Sequence, residues 1–163
     1  MATRRRDLDP GVVLYAQEHL NLSTAHVRHA LEWGSGLLGM AGTSDMREIE
    51  THADLGSDRA TLGLAVYLHR LRAGIAALAT SKNGLDAIVF AGGGGEQVRT
   101  IRSAACHGLG FIGVHLDEKA NQQHHDGRLS NRTDSPVAAA IVETREALQF
   151  AHEVRSLNPL QGR

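Results

Sequence analysis

The chain has one cysteine, three prolines and only 4% aromatic residues in 163 positions, and its 17 basic and 18 acidic side chains leave a formal net charge of −1. The lone Cys106 excludes an internal disulfide and any multi-cysteine metal site, and it fits a reducing compartment, the cytoplasm. The basic residues are scattered apart from Arg4, Arg5 and Arg6, so a polyanion-binding face, and with it a nucleic-acid partner, is not expected. Long apolar runs are also scarce. Asp7 and Asp9 follow the arginines where a signal peptide needs an apolar stretch, and no later segment reaches the roughly 18 apolar residues of a membrane span, so neither targeting nor a membrane is expected.

What remains is the composition of an ordinary globular protein, 42% hydrophobic and 21% charged with 18 glycines. A chain of this length can bury about 68–70% of its unfolded surface, enough for one domain or one large piece of a bigger enzyme.

Asp9 followed by Pro10 predicts a helix start, with Val12, Val13, Ala16 and Leu20 as its apolar stripe and Asn21 as its end. Ser23 or Thr24 caps a second short helix, and the glycines between Trp33 and Gly42 read as a loop. Asp45 three residues before Glu48 reads as a capping box. The strongest periodicity, Leu64, Leu68, Leu71, Ile75 and Leu78, predicts a long core helix over residues 58–80, stopped by Asn83 and Gly84.

Residues 85–90 and 137–142 read as buried parallel strands, adjacent in one sheet, with a short strand around 111–116. A helix carrying Val98, Ile101, Ala104, Ala105 and Leu109 follows the first strand, residues 119–132 form a polar loop, and a last helix contains Leu148, Phe150 and Val154 before a frayed tail at 157–163. The order is α/β with a right-handed crossover, and two clear strands leave its sheet incomplete.

Gly92, Gly93, Gly94 and Gly95 stand between a strand and a helix, where bare backbone N–H groups allow close approach of a phosphate or nucleotide. No Gly-Lys-Ser/Thr follows, and Gln97 occupies the place of the third glycine of a dinucleotide fingerprint; a tight turn without a ligand fits the same residues. His124 and His125 sit in the polar loop with no third ligand at suitable spacing, and Cys106 reads as a small core residue.

Taken in order, the segments MATRRRDLDPG, SGLLGMAGTSDMR, GLDAIVFAGGGGEQ, GLGFIGVHLD and IVETREAL resemble the C-terminal half of the acetate and propionate kinases. That family carries M-G-T-R-x-G-D-I/L-D-P, S-G-L-L-G-x-S-G-x-S-x-D-x-R, F-T/S-G-G-I-G-E-N and P-T-N/D-E-E in the same order. The resemblance implies a ribonuclease-H-like domain of the actin-like, sugar-kinase and heat-shock ATPase fold, truncated in its sheet. It implies transfer of a phosphoryl group from ATP to acetate or propionate, giving ADP and an acyl phosphate.

Carried over by position, Arg4 falls on the family arginine that contacts the carboxylate or the transferring phosphoryl group, where a guanidinium can grip equatorial oxygens. A solvated arginine tail is the alternative. Asp45, Met46 and Arg47 match the segment lining the adenosine pocket, with Asp45 also compatible with a plain helix cap. Gly92, Gly93, Gly94 and Gly95 match the turn under the nucleotide, Gln97 stands beside it, and Glu146 matches the glutamate that holds Mg²⁺. At the N-terminus of a helix, Glu146 also complements the dipole.

Several positions depart from the pattern: Arg5 and Arg6 replace small residues, Gly94 a branched apolar one, Gln97 an asparagine, and Glu143 and Ala147 a proline and a glutamate. The family's N-terminal domain, with its acyl pocket, a second arginine and the catalytic aspartate, has no counterpart in these segments. The expected partners are therefore a second copy of the chain or a separate N-terminal half. The alternative function is a catalytically inactive module that keeps nucleotide binding or dimerisation.

Overall fold

The computed structural model describes residues 2–4, 7–123, 127 and 129–157, leaving aside the side chains of Glu146, Ala147 and Leu157. Arg5, Arg6, His124, His125 and residues 158–163 of the tail lie outside the described residues. The chain divides into two units, Met1–Asn83 and Gly84–Arg163.

The first unit is helical: α1 Pro10–Glu18, α2 Thr24–Glu32, α3 Gly36–Ala41, α4 Met46–Asp54 and α5 Asp58–Ser81. The starts follow local chemistry. The side chains of Asp9, Ser23, Asp45 and Ser57 each accept a backbone N–H in the first turn of α1, α2, α4 and α5. Helix α5 ends at Ser81 with Lys82 as its C-cap, and Asn83 and Gly84 turn the chain away just beyond it at φ of +58° and +145°. Residues 36–41, expected as loop, form α3 instead. Its apolar Leu37 is buried with Ile49 and Ala60, and burial stabilises a glycine-rich turn of helix that propensity alone disfavours. The capping box is also rearranged, because Glu48 accepts from the Thr43 hydroxyl (2.6 Å), which in turn accepts from the Asp45 N–H (3.2 Å).

Helix α5 packs against α3 and α4, with Gly63 letting Ala41 approach to 3.3 Å of the point where a Cβ would stand. It is not the core helix expected from its leucines. Only Ala60, Gly63 and Ala79 are buried, Leu64 is partly buried in the core cluster, and Leu78 is 67% exposed. By length and composition alone, this 24-residue helix could cross a membrane. Its middle nonetheless carries His69, Arg70 and Arg72, and Arg70 pairs with Asp7 at 2.9 Å.

The second unit runs β1 Ala87–Phe90, α6 Gly92–Gln97, α7 Arg99–His107, a 3-10 turn Gly110–Ile112, α8 Glu118–Gln122, β2 Ala138–Ile141 and α9 Glu146–Leu157. The two strands pair in parallel, Ala87 with Ala138 through Phe90 with Ile141, as their sequences imply. The bonds from Ala138 N to Asp86 O and from Val142 N to Phe90 O extend the ladder at both ends. Ile88, Phe90, Ala139 and Ile141 are buried, together with Val98, Ile101, Ala105, Cys106 and Leu109. The expectation of strands buried on both faces fails at β1, where Ala87 and Val89 are exposed.

Among the described residues no third strand joins this sheet. The stretch 111–116 gives only isolated bridges, Val114 with Val137 and Leu116 with Asn131. The reason is local: the 3-10 turn closes on Gly113 at φ +88°, a conformation that interrupts a strand. The expected polar loop contains the short helix α8, capped by Asp117. The single helix expected after the glycines is two, α6 and α7, separated by Val98 in a non-helical conformation.

A Cβ at Gly113 would stand 2.7 Å from the Pro136 ring. Gly113→Ala therefore combines left-handed strain with a steric clash and is expected to cost more than about 1 kcal/mol, read as a lower urea midpoint.

Candidate functional site

In an open parallel α/β sheet, ligands meet the carboxyl ends of the strands, where backbone turns and helix starts converge. Here Phe90 at the end of β1 runs into Gly92, and Ile141 at the end of β2 runs into Thr144 and Glu146. Gly92 through Gly95 form the first turns of α6 rather than an open loop. Gly92 adopts φ +73°, which needs glycine, and a Cβ at Gly93 would meet nothing within 4 Å. Gly95 has a packing reason of its own, since a Cβ there would stand 3.4 Å from Phe90. Gln97 ends α6 and is exposed.

Two buried polar groups hold this turn, and sequence reasoning passed over both. Glu96, 8% exposed, accepts on Oε1 from the Gly92 N–H at 2.7 Å, the Thr144 N–H at 2.7 Å and the Thr144 hydroxyl at 2.8 Å. Arg102, 1% exposed, donates from NH1 to the carbonyls of Gly95 (2.8 Å) and Glu96 (2.6 Å), from Nε to Asn121 Oδ1 (2.7 Å) and from NH2 to the Asn121 carbonyl (3.1 Å). A buried charge is tolerable when so many hydrogen bonds replace water. The signal for Arg102 was visible. It stands on the same face of α7 as Ile101, Ala105 and Cys106, an arginine in an apolar stripe. Cys106 is buried as expected, and desolvation pushes its thiol up to about 11, so it stays protonated.

The remaining candidates lie in the first unit. Asp45 caps α4 through the Arg47 N–H at 2.9 Å, and its carboxylate is gripped by the Arg47 guanidinium, at 3.2 Å from Nε and 2.9 Å from NH2. The cap and the charge pair thus coexist. Hydrogen bonds from the Arg47 side chain, then from its backbone, lower the half-exposed Asp45 carboxyl to about 2, leaving an ionised acceptor at neutral pH. Met46 is half-buried against Leu37, Ile49 and Ala60.

Arg4 is exposed, but the backbone before it is no loose tail. Ser35 N–H donates to the Thr3 carbonyl (2.9 Å) and Leu38 N–H to that of Ala2 (3.0 Å). The Arg4 guanidinium carbon sits 5.9 Å from the ring centroid of Trp33.

The glycine turn suits a flat group approaching bare backbone at Gly93 more than a phosphate at Gly92, whose N–H is already donated to Glu96. Glu146 begins α9. Among the described residues no group of three or more His, Cys, Asp or Glu is placed around a metal position.

A parallel strand pair whose carboxyl ends open into a glycine turn on one side and a carboxylate-bearing helix start on the other places the chain among the α/β proteins of the ribonuclease-H-like ATPase class. The family model of the Acetokinase family matches residues 1–152, and the chain belongs to that family. It is 39% identical over 158 residues to the acetate kinase of Pseudothermotoga lettingae, covering 96% of this chain and 39% of that protein. Among solved structures it is similar to Porphyromonas gingivalis acetate kinase, with a TM-score of 0.87 at 33% identity, covering 96% of this chain and 40% of that one. It is also similar to a propionate kinase from Francisella tularensis, with a TM-score of 0.86 at 32% identity, covering 94% and 39%. The chain thus spans about two fifths of the length of these relatives.

The lowered Asp45 carboxyl contributes stability that is full above its ordinary value of 3.8 and is lost as pH falls through about 2. An NMR titration should place its midpoint near 2, and Arg47→Ala should return that midpoint toward 3.8.

Proposed function

We propose that the chain is the nucleotide-side part of an ATP-dependent kinase acting on a short-chain carboxylate, acetate or propionate. The γ-phosphoryl group passes to a carboxylate oxygen, the bond to the β-phosphate breaks, and ADP and an acyl phosphate leave. The observation that carries this reading is that the family match runs through the glycine turn and the Thr144–Glu146 segment, which follow the carboxyl ends of two paired parallel strands.

In this reading Asp45 accepts from the ribose, Arg47 lies along the adenine and Met46 lines the same pocket. Gly92, Gly93, Gly94 and Gly95 let the nucleotide approach bare backbone, with Gln97 beside it. Arg4, anchored through Ala2 and Thr3, grips the carboxylate or the transferring phosphoryl group, and Glu146 holds Mg²⁺. A cytoplasmic location goes with this role.

Nucleotide binding is tested by thermal stabilisation at millimolar ADP. The chain should be stabilised. Asp45→Ala combined with Arg47→Ala, and separately Gly93→Val, should each reduce the shift, while no shift in the unaltered chain refutes the pocket.

Turnover is a separate matter. Each preorganised donor missing from a transition state typically costs about 10²–10³-fold, so the 163 residues assayed alone, two fifths of the relatives' length, should form acyl phosphate slowly or not at all. Hydroxylamine trapping with acetate and propionate should detect product once the remaining part of an acetate kinase is supplied. Robust activity of the chain alone, lost on Arg4→Ala, would overturn this; none in either case would favour an inactive module. The exposed Leu148, Phe150 and Val154 of α9 support association with a second copy or with that remaining part.

A further inference from the structure

The ladder between β1 and β2 ends at the bond from Val142 N to Phe90 O. Beyond it the two segments that carry the candidate site, 92–97 and 143–146, have no strand pairing to keep them in register, yet any ligand reaching both requires it. Glu96 occupies that position. Its buried Oε1 takes the Gly92 N–H on one side and both donors of Thr144 on the other, joining residues 48 apart in sequence. Arg102 braces the same turn by gripping the carbonyls of Gly95 and Glu96, and Asn121 fixes Arg102 in turn.

A helix cap alone explains the bond to Gly92. It does not explain the two donors from Thr144, which stands two residues before Glu146. We propose that Glu96 is a positioning residue, a latch that makes the glycine turn and the segment leading to Glu146 hold or lose their geometry together. This deepens the nucleotide-site reading and rests on it: a nucleotide at the turn and a metal ion at Glu146 would then bind as one coupled event. Burying a carboxylate is costly, and the hydrogen bonds from Gly92 and Thr144 help offset that cost while both segments are in place.

The test is amide hydrogen exchange on the full 163-residue chain, followed residue by residue by NMR. Thr144→Val, which leaves the turn's own sequence intact, should speed exchange across residues 92–95 by about tenfold, the effect of one hydrogen bond lost from the buried Glu96 carboxylate. Glu96→Ala should speed exchange in both 92–95 and 143–146, and Glu96→Gln, which keeps a carbonyl acceptor at the same reach, should recover most of the protection. Mg²⁺ should strengthen ADP binding to the unaltered chain, and this gain should shrink in Thr144→Val while ADP binding without metal stays within about twofold.

Exchange at 92–95 unchanged by Thr144→Val overturns the latch. If Glu96→Ala does not fold, Thr144→Val and Glu96→Gln still decide it. If the two segments respond together but ADP protects neither in the unaltered chain, the nucleotide reading falls while the latch stands.

Discussion

Parallel strands cannot be joined by a tight turn, so pairing Ala87–Phe90 with Ala138–Ile141 obliges the chain to travel from one end of the sheet to the other before β2 can begin. That constraint shapes the second unit. Helices α6, α7 and α8 fill the crossover, and α7 buries Ile101, Ala105 and Cys106 within it. Because both strands run the same way, their carboxyl ends lie side by side, and the glycine turn and the approach to Glu146 emerge from the same edge. The site follows from strand direction before any side chain is considered.

The two carboxylates that matter most are held in opposite ways. Asp45 is half-exposed, and a guanidinium together with a backbone N–H keeps it ionised. Glu96 is buried, and its oxygen is spent on backbone and hydroxyl donors that belong to the fold. The first is bound within the start of its own helix, and the second holds two segments of the second unit together. Arg102 is a cationic counterpart of Glu96, with guanidinium donors turned inward to carbonyls of α6 and to Asn121.

The long helix α5 shows where periodicity misleads. Its leucine spacing marks one apolar face, yet the residues it buries are Ala60, Gly63 and Ala79; the close crossing with α3 favours small side chains at Ala60 and Gly63, and Leu78 is left exposed. The same competition turned the glycine-rich 36–41 segment into helix α3. Apolar content predicts burial, but the partner decides which residues meet it.

Local chemistry was legible in the amino-acid sequence: the caps at Asp9, Ser23 and Asp45, the stop at Asn83 and Gly84, the two strands and the glycine turn all follow from interactions within a few residues. The ordered motifs also carried the family, since each records a backbone or side-chain requirement that few other residues meet. Tertiary structure alone decided which carboxylate bridges Gly92 to Thr144, that Asn121 is the partner of Arg102, and that Ala2 and Thr3 are tied to Ser35 and Leu38 ahead of Arg4. Those contacts join residues 19 to 48 positions apart, and a hydrogen bond at that range depends on the packed path of the intervening chain, which no local pattern of residues encodes.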